Sequence, residues 1–369
     1  MKEDKSRLKE VALLFTKLGF IGFGGPAVHI AMMEEEVVRK RKWITQEHFL
    51  DLVGATNLIP GPNSTEMTMH CGQERAGWKG LIVAGCCFIL PAVLITACFA
   101  WGYQRYGHLP EVEPFIYGIK PAIIAIVAAA MVSLGKKALK TVTLGIIGLS
   151  AAVTVLLGVN EIVVLFSAGA VGILMYLFKR DRTALNGVFP YLLLQIDISH
   201  WKLFAIFLKV GAILYGSGYV LFAFLDAELV GKGLLTKGEL IDAIAVGQFT
   251  PGPVFSAATF IGYQIGGWEG AAAATAGIFL PSFLLVGFLN PLIPRLRKSK
   301  IMSAFLDAIN IASVAIILAV LIEMSRLAIT DWRTIVIATL SFLITFRFKV
   351  NSAFIVIGGG LIGYLLYLV

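Results

Sequence analysis

The sequence predicts an all-α polytopic membrane protein with two inverted homologous repeats, about ten transmembrane helices (5+5) and broken, re-entrant Pro-Gly-Pro hairpins. Three observations support this fold class. Hydrophobic residues make up 58% of the 369 residues and charged residues only 15%, whereas soluble domains carry roughly 25% charged residues. One order of polar and glycine residues occurs twice. The basic loops of the two copies alternate in opposite phase. The composition excludes a soluble globule and a disordered chain.

Apolar segments long enough for helices follow one another along the chain, since about 20 residues cross the hydrocarbon core. In the first half they cover 8–24, 77–103, 113–135, 141–158 and 160–178. In the second half they cover 201–225, 267–290, 301–325, 333–346 and 351–369. We therefore expect an N-terminal repeat at 1–182, a connector at 183–200 and a C-terminal repeat at 201–369.

The duplication is clearest in residues that are rare in apolar helices. Lys17 and Lys209 lie 192 residues apart, and each precedes a glycine-rich segment. The two Pro-Gly-Pro motifs, 60–62 and 251–253, lie 191 residues apart. Chance similarity between apolar segments does not reproduce this order, so an internal duplication is expected.

Loop charges predict that the two copies have opposite orientations. In the first half the basic loop lies at 136–140, between the segments 113–135 and 141–158, whereas in the second half the basic loop lies at 295–300, between 267–290 and 301–325. Basic loops are retained in the cytoplasm. Five spans per copy would invert the second copy and place both termini outside, although the basic N-terminus fits that side poorly.

The Pro-Gly-Pro motifs predict breaks inside the membrane, because proline cannot continue a helix. We expect paired short helices at 45–56 and 63–75, and again at 236–248 and 254–266. Thr45 and Thr236 are expected to cap the first helix of each pair, and Asn63, Ser64 or Thr65 and Ser256 the second. An ordinary surface loop is the alternative. Non-helical backbone at membrane depth must be buried in protein or line a cavity.

Glycine-rich segments at 22–26 and 216–218 predict two further breaks, and helix ends at such breaks can bind anions. Lys17 and Lys209 would neutralise the anion, since intramembrane charges are usually functional; snorkelling to the interface is the alternative. Lys120 is a weaker third candidate. The expected substrate-binding residues are Lys17, Gly24, Gly25, Asn57, Gly61, Asn63, Ser64, Thr65, Lys209, Gly216, Ser217, Gln248, Thr250, Gly252 and Ser256.

Acidic residues and one histidine near the breaks are candidates for proton coupling, because a buried carboxylate or imidazole can carry a proton. A solvated helix end and a structural histidine are the alternatives. No metal, cofactor or catalytic group is expected, since the four cysteines lack ligand spacing and no nucleophile motif occurs. The proton-coupling candidates are His29, Glu34, Asp51, Glu66 and Asp242.

The segments Gly22-Phe23-Gly24-Gly25-Pro26 with His29, Asn57 to Pro62, and Gln248 to Pro253 with Gly262 resemble the chromate ion transporter family in its long, two-domain form. The resemblance covers about 8–369. It implies a multi-pass inner-membrane transporter that exports chromate and confers resistance, with sulfate as the structural analogue. The second half has Gly216-Ser217-Gly218 in place of Gly-Gly-Pro, which argues against equal roles for the halves.

The expected function is a secondary transporter that exports a divalent oxyanion, driven by the membrane potential and by proton exchange. Uptake or exchange of sulfate, a lipid-phosphate flippase and a membrane enzyme acting on lipid phosphate are the alternatives. The expected partners are chromate, sulfate as its analogue, and the lipid bilayer, with a homodimer left open. No nucleic-acid partner is expected, because the basic residues lie in short clusters between apolar segments.

Overall fold

The fold is taken from a computed structural model, which describes residues 2–107, 109, 111–179, 200–215, 218, 220–289, 299–348 and 350–367. Every regular element within these ranges is a helix. The all-α class is therefore confirmed. The connector predicted at 183–200 lies outside the described residues except for its last residue, as do Gly216 and Ser217.

The first repeat has seven helices. Two of them are interrupted or change pitch: α2 continues into a wider helical turn at Glu34–Lys40, and α4 is kinked. The elements are α1 Lys2–Ile21, α2 Pro26–Met33, α3 Gln46–Thr56, α4 Asn63–Tyr106, α5 Glu113–Ala138, α6 Val142–Leu156 and α7 Glu161–Lys179.

The second repeat has the same order. Here too the second helix, α9, continues into a wider turn at Asp226–Val230, and a short 3₁₀ turn at Val254–Ser256 leads into α11. The elements are α8 His200–Ile213, α9 Val220–Leu225, α10 Lys237–Phe249, α11 Ala257–Leu289, α12 Lys300–Ala328, α13 Trp332–Phe348 and α14 Ser352–Tyr367.

The backbone kinks repeat as closely as the sequence does. In α4, Ala76 and Gly77 leave helical geometry with φ of −142° and 61°. In α11, Gly266 and Gly267 do so with φ of −141° and 59°. The predicted boundaries between 75 and 77 and between 266 and 267 therefore appear as kinks between two straight helical segments.

The two kinked helices pack antiparallel at the centre of the bundle. The Trp78 ring meets Phe288 with ring centres 5.9 Å apart, and Gln264 donates to the carbonyl of Ala100 at 3.1 Å. The start of the straight part of α4 therefore lies beside the end of α11, and the end of α4 lies beside the first part of α11. This packing orients the two repeats in opposite directions.

The two Pro-Gly-Pro hairpins enter from opposite ends of α4. At one end, Arg75 pairs with Glu10 at 2.6 Å and stacks over Trp43. At the other end, Tyr103 donates to Asp242 of α10 at 2.6 Å. The described contacts thus confirm the inverted arrangement.

The first helix, α1, packs along only part of α4. It starts beside Arg75 and reaches its break where Gly19 packs on the carbonyl of Phe88. The chain then returns, because Trp43 lies beside Arg75 again. The N-terminal end of α1 and the loops at 39–42 and 75–79 therefore lie on one side of the molecule, whereas the sequence prediction places them on opposite sides.

Five helices of the described chain are long and apolar enough to cross a membrane. Shorter apolar helices are Val142–Leu156 and Ser352–Tyr367. The protein is a multi-pass membrane protein, while ten full spans remain a prediction. The five long helices are Asn63–Tyr106, Glu113–Ala138, Glu161–Phe178, Val254–Phe288 and Lys300–Ala328.

Two of the predicted caps are confirmed and the others are wrong. The Thr45 side chain accepts from the His48 amide, and Thr236 forms a reciprocal capping box with Glu239. The helix after the first break starts at Asn63 directly behind Pro62, with no side-chain cap, so Ser64 and Thr65 already lie inside its first turn. Ser256 ends a 3₁₀ turn and points towards Thr96 instead.

Candidate functional site

The four helix breaks are joined in two pairs by backbone hydrogen bonds between the repeats. The Gly61 amide donates to the Leu214 carbonyl at 2.8 Å, and the Gly252 amide donates to the Gly22 carbonyl at 2.8 Å. Gly22 and Leu214 occupy equivalent positions of the two copies, as do Gly61 and Gly252. Each Pro-Gly-Pro motif is therefore completed by the broken helix of the other repeat.

The second Pro-Gly-Pro lies halfway along the straight part of α4 that follows the kink at Gly77. Gly252 has φ of 88°, a conformation that favours glycine. A Cβ at this position would lie 2.8 Å from the Ala92 side chain and 3.4 Å from the Gly19 carbonyl. Ala92 lies midway between Trp78 and Tyr106, so the break lies in the middle of the bundle.

The start of α2 contributes to the same region. Gly24 and Gly25 have φ of 110° and 82°, and Pro26 opens the helix. The buried His29 imidazole bonds through Nε2 to the Gly22 carbonyl at 2.8 Å, so it stabilises the break itself. Pro26 has no N–H and the Val28 amide donates to the Gly25 carbonyl at 3.1 Å, so Ala27 supplies the first-turn amide, which carries partial positive charge.

Two asparagines follow each other across the first Pro-Gly-Pro. Asn63 donates through Nδ2 to Asn57 Oδ1 at 2.8 Å, and Asn57 in turn donates to the Val53 carbonyl. Asn57 is exposed and Asn63 is half-buried. Both are therefore accessible from the same opening, whereas Ser64 and Thr65 are buried behind them.

The second break has fewer available side chains. Thr250 donates to the Val246 carbonyl of its own helix, and Ser256 meets Thr96. Gln248 is buried, and its carbonyl accepts from Ser352 at 3.3 Å. The start of α14 therefore joins the site, and the Asn351 amide would lie 3.7 Å from a Cβ at Gly24.

Lys17 is held in a cluster of charges beside its break. Its Nζ lies 3.3 Å from Glu36 Oε1, and Lys40 and Arg41 also contact Glu36. Glu36 is buried, while the Lys17 side chain is 56% exposed. Lys17 borders an open groove of about 670 Å³ between α1 and α2, which is otherwise mostly apolar.

The second repeat reproduces this cluster. Lys209 Nζ lies 2.6 Å from Glu228 Oε1, and Lys232 Nζ lies 2.6 Å from Glu228 Oε2. Three cations contact Glu36 and two contact Glu228, so each cluster keeps a surplus of positive charge. The lysines selected from the sequence are thus paired, and their partners come from the returning helix of each break.

The remaining acidic candidates differ in burial. Glu34 lies in a surface network with Arg39 and Gln46, and Asp51 is exposed. Glu66 is fully buried and accepts from Ser282 of the other repeat at 3.3 Å. Asp242, also buried, lies 3.5 Å from Lys120 Nζ.

Several hydrogen-bond and ion-pair partners of the candidate residues were not predicted from the sequence. Tyr103 and Ser282 lie in apolar helices, where a single hydroxyl gives no periodic signal. Glu36 and Glu228, the partners of Lys17 and Lys209, occupy equivalent positions of the two repeats. This equivalence is the sequence signal that could have identified them. Among the described residues, no group of three or more His, Cys, Asp or Glu side chains could hold a metal ion.

The family model for the chromate transporter matches the chain twice, at 9–173 and 201–364. A chromate transport protein of Cupriavidus metallidurans is 28% identical over 98% of this chain and 93% of its own length. A chromate transport protein of Pseudomonas aeruginosa is 28% identical over 96% and 91%. An uncharacterized transporter of Methanocaldococcus jannaschii is 28% identical over 99% and 96%. No solved structure matches.

The double match agrees with the duplicated fold, and its two parts avoid the predicted connector. It also agrees with the paired breaks and the paired lysine clusters, which occur once in each matched part. The chain is a member of the chromate transporter family, a family of membrane transporters.

Proposed function

We propose that this chain exports chromate, a divalent tetrahedral oxyanion, across the inner membrane. The observation that carries the proposal is the pairing of the four helix breaks, each break with one from the other repeat, through the bonds of Gly61 and Gly252. Membership of the family and the names of two full-length relatives support chromate as the substrate.

The breaks supply the donors that an oxyanion needs. Helices that start at Pro26, Asn63 and Val254 direct first-turn amides and the positive end of the helix dipole towards the breaks. Side-chain donors from Asn57 and Asn63 lie at the first break. Such a site binds a divalent anion without placing several cations in the apolar interior.

In this proposal the lysine clusters attract the anion and compensate its charge on the way to the breaks. Lys17 and Lys209 each lie in a cluster with a positive surplus, one in each repeat. Because the repeats are inverted, alternating access would expose one cluster to each side in turn.

The membrane potential favours export. Moving two negative charges out of a negative-inside cell is downhill by about 4.6 kcal/mol per 100 mV, at about 2.3 kcal/mol per charge. Accumulation of the same anion would need co-transported cations. Proton exchange would add to the driving force for export.

The test uses purified full-length protein in proteoliposomes loaded with chromate under a clamped potential. We expect potential-dependent efflux that excess sulfate slows by competition. Absence of efflux would overturn the proposal. Sulfate uptake without chromate flux would support the first alternative, and lipid movement without anion flux would support a flippase.

The lysines are tested with Lys17→Gln and Lys209→Gln. We expect each to raise the half-saturating chromate concentration at least about tenfold, because a charge-assisted contact contributes more than about 1.4 kcal/mol. Lys140→Gln is the matched control, since Lys140 pairs with Asp307 away from the breaks. Unchanged half-saturation in both variants would remove the lysines from the site.

A further inference from the structure

Three titratable side chains form a row along the helical segment that follows the first Pro-Gly-Pro. Glu66, His70 and Glu74 are spaced four residues apart, and side chains at this spacing share one face of a helix. Glu66 is fully buried and His70 is 1% exposed, while the Glu74 side chain is 34% exposed. The row therefore leads from the break to the surface.

The inner end of the row is a carboxyl group without a counter-charge. Glu66 Oε1 accepts from Ser282, and its buried Oε2 has no hydrogen-bond partner among the described residues. No Lys, Arg or His in the described ranges lies within 4 Å of it. Tyr215 also interacts electrostatically with it. Burial without a cation favours the neutral acid, which holds a proton.

The middle of the row is an imidazole without partners. Neither ring nitrogen of His70 has a hydrogen-bond partner within the described chain, although buried polar groups are usually paired. A histidine ring can accept a proton on one nitrogen and release another from the second nitrogen. Its position, about 6 Å along the helix axis from each neighbour, suits transfer through one water or a rotamer change.

The outer end of the row is open to water. His48 Nε2 lies 3.2 Å from Glu74 Oε1, and the His48 side chain is 44% exposed. His48 belongs to the first turn of α3 and also interacts electrostatically with His70. Cys71 also interacts electrostatically with Glu74. This end lies with Arg75, on the basic side of the molecule.

The second repeat lacks the row. The kinks and the Gly77 and Gly267 positions set an offset of 190 in this segment, which places Ser256, Phe260 and Gln264 opposite the three titratable residues. None of these three side chains exchanges a proton at neutral pH. The row is therefore a property of the first repeat and not of the shared fold.

We propose that Glu66, His70 and Glu74 conduct protons between the basic surface and the first Pro-Gly-Pro break, with Glu66 as the coupling carboxyl. Protonated Glu66 passes its proton to one His70 nitrogen, the other nitrogen passes its proton to Glu74 or His48, and the Glu66 carboxylate then takes up a new proton at the break. One proton is carried in each transfer, and no group is consumed. The proposal rests on the proposed chromate export and adds the residues that couple it to protons.

The first test separates coupling from transport in proteoliposomes. Efflux of chromate is measured at fixed potential with and without a pH gradient, and proton movement is followed with a trapped pH dye. We expect Glu66→Gln to keep potential-driven efflux while its proton-to-chromate ratio falls about tenfold or more, because an amide cannot take a proton. His70→Gln should reduce the ratio as well. Met67→Leu, on the same segment, is the matched control.

The outcomes distinguish the two proposals. If wild-type protein exports chromate but ignores the pH gradient, the proton row is overturned and export stands. If Glu66→Gln keeps the wild-type ratio, or loses potential-driven efflux while remaining folded by size-exclusion chromatography, the coupling role is likewise overturned.

A second measurement needs no anion. Infrared difference spectra between neutral and alkaline pH should show a protonated carboxyl band in wild-type protein that Glu66→Gln removes and His70→Gln shifts. An unchanged band in Glu66→Gln would overturn the assignment even if chromate proved not to be the substrate.

Discussion

The pair formed by Lys120 and Asp242 allows a quantitative test of the interface between the repeats. Their charged atoms are 3.5 Å apart, and the Asp242 side chain is only 6% exposed. At an effective dielectric constant of about 20, this distance corresponds to about 5 kcal/mol of attraction. In Lys120→Met, Asp242 loses this counter-charge and keeps the hydrogen bond from Tyr103. We expect the free energy of unfolding to fall by about 3–5 kcal/mol, because a buried charge loses its counter-charge.

The reverse change should cost less. In Asp242→Asn, Tyr103 can still donate to the amide oxygen, and the Lys120 side chain, 29% exposed, can reach water. We expect a loss of about 1–2 kcal/mol. The double variant should resemble Asp242→Asn, so the coupling energy equals the loss in Lys120→Met, about 3–5 kcal/mol.

Denaturant unfolding of the full chain in mixed micelles, followed by tryptophan fluorescence, measures all four corners of this cycle. Lys140→Met is the control, because Lys140 pairs with Asp307 at an exposed position and should cost only about 0–1 kcal/mol. If the two single losses add to the double loss within about 0.5 kcal/mol, the ion pair does not join the repeats.

Two further predictions concern backbone and pH. Gly77→Ala meets open space, but φ of 61° with ψ of −154° is a conformation adopted almost only by glycine, so the change should cost about 1–3 kcal/mol of strain. Gly252→Ala also meets Ala92 and should cost about 1–3 kcal/mol more; equal losses in unfolding free energy would contradict this. The hydrogen bond from Tyr117 lowers the pKa of Asp331 below its ordinary value of about 4. The stabilisation is complete above that pH and is lost as the pH falls through the lowered pKa, so the melting temperatures of wild type and Asp331→Ala should converge in acid; a constant difference would exclude it.

Local chemistry was readable from the sequence. Proline and glycine determine where a helix breaks, so Pro60–Pro62, Pro251–Pro253 and the kink at Gly77 could be located in advance. Thr45 and Thr236 cap helices through atoms only three residues away. These interactions depend on neighbours along the chain, and the duplication made each of them visible twice.

Long-range partners were not readable. Tyr103 and Asp242 are 139 residues apart, and Glu66 and Ser282 are 216 residues apart. The path of the chain after α1 was also not predictable. An apolar segment of this length predicts a membrane crossing, and its length does not show that the chain turns back at Gly22. The same limit applied to Lys17, whose partner Glu36 becomes visible only when the return path is known.

The reciprocal bonds of Gly61 and Gly252 have a consequence for chain connectivity. Each copy holds the acceptor for the break of the other, so either copy alone would leave the buried amide of its own Pro-Gly-Pro motif unsatisfied, at a cost of several kcal/mol in lipid. The covalent link between the copies contributes neither bond. Two separate half-chains should therefore assemble into a working transporter when made together, provided that they insert in opposite orientations, and each should be degraded when made alone.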